Sequence, residues 1–298
     1  MKFWGGLFVL IILTGCDRQP ESVYEPSFSA RPGSRVKEYV IGILPQHNMQ
    51  RVLDLYAPVL EQIKVGIPDA NFEMEASRSF EEFEKKLYDG HFDFAMLNPY
   101  QTVLSLKHGY HVFGKMADDK EFRGIILVRK DSGIQKVSEL KGKRVSYPAV
   151  TALAAGLMPQ YFLHTHGVDV NHDIENIYVG SQESSIMNVV LGHVAAGASW
   201  PPPWKTFIAE HPELANQLEV KWQTEPLLNN GWVVRKDIPP ALSKRFGAVL
   251  FELNNSEQGR RVLQRLQISR FESASDSTYV PVRNFLNAFS TTVRPVER

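Results

Sequence analysis

From residue 39 onward, short apolar runs alternate with longer stretches of helical periodicity, and this alternation narrows the fold further than any other feature of the chain. Residues 39–44 read as a strand. In 48–64, Val52, Leu55, Tyr56, Val59, Leu60 and Ile63 recur at helical spacing. Residues 72–75 alternate as a strand. The run 79–88 reads as a helix with Ser79 as N-cap and Glu82 three residues later. A strand at 92–97 and a helix at 99–106, with proline in its first turn, come next. Strands are expected at 111–115, 125–128, 145–147, 177–179, 194–198 and 232–234. Between them fall a long amphipathic helix at 151–164 and a helix at 182–191, and two or three helices follow Pro240. Strands and helices alternating at these lengths predict parallel α/β sheets. Two rounds of β-α-β-α-β, at about 40–115 and 123–200, predict two similar lobes: 38–117 plus 225–290, and 118–224. Crossing strands near 116–123 and 222–228 would form the hinge.

The first fifteen residues belong to another category. Lys2 precedes an apolar run from Phe3 to Leu13, too short for a bilayer, which needs ~20 residues, and of the length of a signal-peptide core. It ends in Leu13-Thr14-Gly15-Cys16, which resembles the lipobox of bacterial lipoproteins. That resemblance implies a signal peptide at 1–15, cleavage before Cys16, and lipidation of Cys16 with palmitate-type acyl chains. Two or three chains anchor stably, since each buried CH₂ contributes about 0.8 kcal/mol. Asp17 is similar to the inner-membrane retention signal of enteric-type lipoproteins, which places the protein on the periplasmic side of the cell membrane. Residues 16–37 would form a lipidated tether, polar after the cysteine and holding three prolines. Cys16 is the sole cysteine, so no internal disulfide can form and the body must fold on its core. Lys+Arg and Asp+Glu both count 33, and this balance gives no reason to expect nucleic acid as a partner. A monomer is expected.

In open α/β sheets, ligands bind beyond the carboxyl ends of strands, where free helix N–H groups and the helix dipole favour anions. Four strand-to-helix turns qualify: Pro45-Gln46-His47-Asn48, Leu97-Asn98-Pro99-Tyr100, Pro148-Ala149-Val150-Thr151 and Gly180-Ser181-Gln182-Glu183. Two come from each expected lobe, and a cleft between them needs no catalytic group. The ligand-binding candidates on these turns are His47, Asn98, Tyr100 and Thr151. Each has a structural alternative: a cap or solvent-facing role for His47, a turn or cap for Asn98, a core tyrosine for Tyr100, an N-cap for Thr151. Arg123, on a crossing strand, is an anion partner or a surface ion pair. Trp200 is a stacking surface for ligand or a cover for the hinge. His164, His166 and His172 lack ligand spacing on a helix, and neither Cys-x-x-Cys nor His-Glu-x-x-His occurs, so no metal or other cofactor is expected. Hydrolase-elbow and P-loop motifs are absent too, so no enzyme is expected.

Four motifs carry a family resemblance over about 38–270. Leu140-Lys141-Gly142-Lys143-Arg144-Val145 is similar to the run that opens the second lobe of many periplasmic binding proteins. Phe92-Asp93-Phe94-Ala95 with Asn98-Pro99-Tyr100, and Gly180-Ser181-Gln182-Glu183 with Val189, Gly192, Val194 and Ala198, resemble stretches of the phosphonate/phosphate/phosphite-binding (PhnD-like) family. The run from Asn229 to Asp237 resembles that family's return strand. The resemblance implies a two-lobed periplasmic-binding-protein fold (type II, Venus-flytrap) with two hinge-crossing strands, closing on a small anionic ligand for an ABC importer. It adds Gln182, where the family has a histidine on the phosphonyl group, to the ligand-binding candidates. Two departures point away from an aminoalkylphosphonate. The family's Ser-Thr-Ser-Gly cradle is here a run of apolar residues in which only Thr151 keeps a hydroxyl, and Trp200-Pro201-Pro202-Pro203-Trp204 lacks the family's carboxylate. The partners implied are a small-molecule ligand, an ABC permease and the membrane. The alternative is a sensing lipoprotein that signals to a membrane kinase or cyclase. A related pyrimidine-synthase branch would want a His/Cys cluster, which the sequence lacks.

Overall fold

A computed structural model describes Met1 and residues 37–296. The expected signal peptide, Cys16 and the expected tether up to residue 36 lie outside the described residues.

The chain runs β1 (Glu38–Ile43), α1 (Met49–Gly66), β2 (Asn71–Ala76), α2 (Phe80–Tyr88), β3 (Phe94–Leu97), α3 (Pro99–Ser105) and β4 (Tyr110–Met116). It continues with β5 (Ile125–Arg129), β6 (Arg144–Tyr147), α4 (Met158–Thr165), β7 (Glu175–Tyr178), α5 (Gln182–Val190), β8 (Ala196–Ser199), α6 (Pro201–Glu210), α7 (Pro212–Ala215) and β9 (Leu218–Gln223). It ends with β10 (Gly231–Arg235), α8 (Pro240–Phe251), α9 (Glu257–Leu266), β11 (Phe271–Ser273) and α10 (Val280–Thr292). Two sheets result. One has six strands in the order β11-β4-β10-β3-β1-β2, the other five in the order β7-β6-β8-β5-β9.

The expectation of parallel sheets is corrected. β1 pairs parallel with β2 and β3, and β6 with β7 and β8. β10 runs antiparallel to β3 and β4, and β5 antiparallel to β8 and β9. The reason is topological: β5 and β10 enter their sheets from the hinge rather than through a crossover helix, so nothing turns them parallel. β9 and β11, absent from the sequence reading, are edge strands.

The first sheet is held by aromatic packing. Phe94 stacks on Phe246 of α8 at 4.1 Å between centroids, and Phe72 meets Phe246 edge-on at 5.6 Å. A fully buried phenylalanine contributes roughly 1.5–3 kcal/mol.

The chain crosses between sheets at 117–124 and 224–230, and these segments lie side by side. Gly124 and Thr224 bond reciprocally at 2.9 Å, Leu227 N–H donates to the Phe122 oxygen at 2.8 Å, and Met116 N–H to the Asn230 oxygen at 2.8 Å. Gly124 allows no side chain: a Cβ there would stand 2.5 Å from the Ala154 oxygen. Lys115, 5% exposed, bridges Glu272 at 2.7 Å and Asp119 at 2.9 Å, and Asp119 also accepts from Asn229 N–H. A buried ammonium so enclosed fixes where the crossing begins.

The long helix expected from residue 151 is corrected as well. Its first turn, Leu153–Leu157, is π-helical, and regular α geometry starts at Met158. Leu157 N–H reaches the Ala152 oxygen at 3.0 Å, an i→i−5 bond. Pro159 supplies the cause, because it has no N–H for the Ala155 carbonyl and its ring crowds that carbonyl, which widens the turn. Thr151 is therefore not the N-cap; Ala152 holds that position.

Among the described residues, no helix is long and apolar enough to cross a membrane, and no group of three or more His, Cys, Asp or Glu gathers as a metal site would require.

Candidate functional site

Helix starts from both sheets converge on a small cavity between them, about 280 Å³ counting the solvent it opens onto. Asn98 caps α3: its side-chain oxygen accepts Gln101 N–H at 3.0 Å, and the Gln101 side chain answers to Asn98 N–H at 3.3 Å. Gly180, in left-handed backbone at φ 85°, turns the chain into α5, where Ser181 accepts from Ser184 N–H at 3.1 Å. Gln182 opens that helix and accepts from Ser199 at 3.1 Å. The first turn of the π-helical segment presents Ala152, Leu153, Ala154 and Ala155 to the same space. The first N–H groups of a helix have no intrahelical acceptor.

Asn230 completes the polar wall. It is 1% exposed, it lines the cavity, and neither its side-chain nitrogen nor its oxygen has a hydrogen-bond partner. A buried, unpaired amide costs about 1–3 kcal/mol, so its presence here calls for a ligand or water as partner. No charged side chain lines the cavity. An anion held there would be met by amides and helix dipoles, which need not be stripped of a counter-ion first.

The α6 helix start differs from the others. Pro201, Pro202 and Pro203 fill its first three positions, so the N–H groups that a helix start normally offers do not exist. Trp200 before them packs on Phe122 of the crossing segment, centroids 5.4 Å apart, and also lines the cavity. It covers the crossing segment and forms part of the cavity wall.

The two sheets' bodies are latched together. Asn98 Nδ2 donates to the Thr151 oxygen at 3.0 Å. The Thr151 hydroxyl donates to Glu84 at 2.5 Å, and Glu84 also accepts from Gln101 at 2.8 Å. Arg51 grips Glu210 with two bonds, 2.6 and 3.0 Å, which holds the carboxyl below its usual range. Gln267 donates to Thr206 at 2.5 Å. The molecule is thus closed over the cavity.

A second, wider cavity of about 990 Å³, counting the solvent it opens onto, adjoins the first and shares Leu44, Gln46 and Trp200 with it. His47 lies on its wall, half-buried. Burial, and then the Arg51 charge, lower its pKa to about 4, so it is neutral at neutral pH. Asn48, not His47, caps α1.

Of the sequence candidates, the structure brings Asn98, Gln182 and Trp200 onto one cavity and His47 onto its neighbour. Tyr100 is 2% exposed within α3 and lines neither cavity. Thr151 stands at the closure seam. Arg123 sits on the crossing segment, 3.7 Å from Glu121, with its Nε buried and unpaired. Sequence reasoning missed Asn230, Glu84 and Gln46 as site residues. Asn230 falls within the return-strand motif, but an unpaired amide leaves no trace in sequence.

Two α/β bodies joined by paired crossing segments, closed over a cavity lined by helix starts, define a two-lobed binding protein of the periplasmic type II fold. The same architecture is found in the binding-protein component of an ABC phosphonate transporter from Pseudomonas aeruginosa (TM-score 0.79, 16% identity, 86% of this chain and 87% of that one). It recurs in PhnD1 from Prochlorococcus marinus MIT 9301 in complex with methylphosphonate (TM-score 0.78, 21% identity, 85% and 98%). A Xanthomonas citri protein bound to ATP is also similar (TM-score 0.70, 17% identity, 87% and 99%). In sequence, a probable ABC transporter phosphite-binding protein, PhnD1 of Prochlorococcus marinus MIT 9301, is 25% identical over 174 residues, 54% of this chain and 59% of that protein. The chain thus matches about three-fifths of that relative's length. Residues 41–279 match the family described as ABC transporter, phosphonate, periplasmic substrate-binding protein, and the chain belongs to that family.

Proposed function

We propose that this protein is an extracytoplasmic solute-binding lipoprotein that closes on a small oxyanion of the phosphonate/phosphate class and delivers it unaltered to an ABC importer. The observation that carries this reading is the unpaired amide of Asn230, buried among helix starts in a cavity without charged walls. An oxyanion would accept from that amide and from the N–H groups of the helix at 153 and of α5, while the Asn98–Thr151 bond closes the seam behind it. Methylphosphonate in one related structure and phosphite in the name of a relative support the ligand class. The lobes that close would be 38–117 with 225–290, and 118–224. Contacts made only in the closed form would drive closure. Asn98, Gln182 and Trp200 would touch the ligand, and Thr151 would act through the seam. His47 would border the ligand as a neutral group. Cys16 would carry the lipid that keeps the protein at the cell membrane.

Titration calorimetry with methylphosphonate, phosphite and phosphate tests the reading. At least one should bind with a Kd below 100 µM, a figure on the order of −5.5 kcal/mol. If all three fail to bind the folded protein at millimolar concentration, the ligand class is wrong.

A further inference from the structure

The last helix, α10, starts on the first sheet's body and is held at its far end by the second. Tyr279, just before it, is 1% exposed and donates its hydroxyl to the Asn229 oxygen at 2.6 Å, and the helix then packs on α3. Farther along, Phe285 meets Tyr161 of α4 edge-on, centroids 5.4 Å apart. Past the helix end, Asn171 Nδ2 donates to the Val293 oxygen at 2.8 Å. The Arg294 guanidinium donates to Gln160 Oε1 at 2.7 Å and to the Tyr178 hydroxyl at 3.4 Å. Gln160 is 1% exposed and fixed by its own bonds to Asn176 and Tyr178, both 3.1 Å, so this acceptor is held in place independently of Arg294. Arg294 is held in place too, lying over the Phe289 ring at 5.2 Å. The residues that match the family end at 279, so α10 lies outside that match.

Tyr178 ends β7, an edge strand of the second sheet. Three strand spacings, about 14 Å, separate β7 from β5, where the chain enters that sheet from the crossing segment. The two crossing segments lie side by side and serve as one hinge. A third attachment set that far to one side resists rotation about it. Neither acceptor of Arg294 is a carboxylate, and its Nη1 is buried without a partner, so the grip is weaker than a fully bonded ion pair and can be released. Accepting that the two lobes open and close on a ligand, on which this rests, we propose that the C-terminal end of α10 is a strap across the closed form, with Arg294 the positioning residue that must let go before the ligand leaves. Arg294 touches no ligand. It sets how fast the lobes part and what fraction of the ligand-free protein stands open.

Two readouts on the full chain test this. Spin labels on Met49→Cys and Ile208→Cys, exposed positions that flank the Arg51–Glu210 pair, report the distance between the bodies in a Cys16→Ala background. Stopped-flow tryptophan fluorescence reports the release of methylphosphonate. Arg294→Ala should release it about tenfold faster, the factor that matches a charge-assisted hydrogen bond at the low end of its usual worth, and should move ligand-free molecules toward the longer distance. Asn171→Ala cuts the strap from the other body and should speed release about threefold, as for a neutral hydrogen bond. Arg294→Lys keeps a donor for Gln160 and should regain part of the wild-type rate. A merely structural role would lower the melting temperature and leave the distance between labels unchanged. Wild-type release from both Arg294→Ala and Asn171→Ala, or faster release with the label distances unchanged, overturns the strap while the oxyanion site stands. If methylphosphonate does not bind, the oxyanion reading falls, and the ligand-free distances alone decide the strap.

Discussion

The Asn98 amide donates to the main-chain oxygen of Thr151 at 3.0 Å, while its own carbonyl caps the helix that follows. One short side chain thus starts α3 and joins the two sheets' bodies. Its two ends do different work, and substitution separates them. Asn98→Asp keeps an acceptor for Gln101 N–H but cannot donate to Thr151, and it sets a negative charge on the cavity wall. Unfolding by urea should show a loss of about 1–3 kcal/mol from the lost bond and the buried charge, and methylphosphonate affinity should fall tenfold or more. Asn98→Ala loses both ends and should cost about 1 kcal/mol through the cap alone.

Asn230 makes the opposite trade. Its amide is buried without a protein partner. Asn230→Leu removes the unpaired groups at similar volume, so the ligand-free protein should become more stable, by about 1–3 kcal/mol. Oxyanion binding should weaken by roughly 10- to 100-fold through the loss of a charge-assisted hydrogen bond. A thermal melt with and without methylphosphonate reads both effects. A variant that is destabilised and binds normally would sink the assignment.

His47 gives the protein an acid sensitivity whose sign follows from its depressed pKa, about 4 when folded against about 6.5 when unfolded. Between these values the unfolded chain binds the extra proton and the folded one does not. Stability from this group is present above pH 6.5 and drains away as pH falls through 4. His47→Gln should flatten the fall in melting temperature between pH 6.5 and 4 relative to wild type. Parallel curves for the two proteins would assign the acid sensitivity elsewhere.

The lipid anchor proposed at Cys16 has a direct readout. Cys16→Ala should move the protein from the membrane pellet to the soluble extracytoplasmic fraction, since without acyl chains the anchoring free energy disappears. Persistence in the pellet after a high-salt wash would remove the anchor.

The sequence by itself determined most of the order of elements, with α6, α7, β9 and β11 missed, and the places where the strand-to-helix turns fall. Alternating apolar runs bury one face whatever their partners are, and caps such as Ser79 and Asn98 act within three residues. It also carried the family, because turn motifs such as Asn98-Pro99-Tyr100 and Gly180-Ser181-Gln182 are local in the chain. Only the tertiary structure decided the rest. Strand direction at β5 and β10 depends on how the chain returns from the hinge, not on what the strands contain. The pairing of Asn98 with Thr151 spans 53 residues, the pairing of Arg51 with Glu210 spans 159, and the solitude of Asn230 is a fact about what surrounds it. Local patterning fixes which groups each segment presents. Which groups meet, and which are left facing an empty space, is settled only when distant segments share one volume.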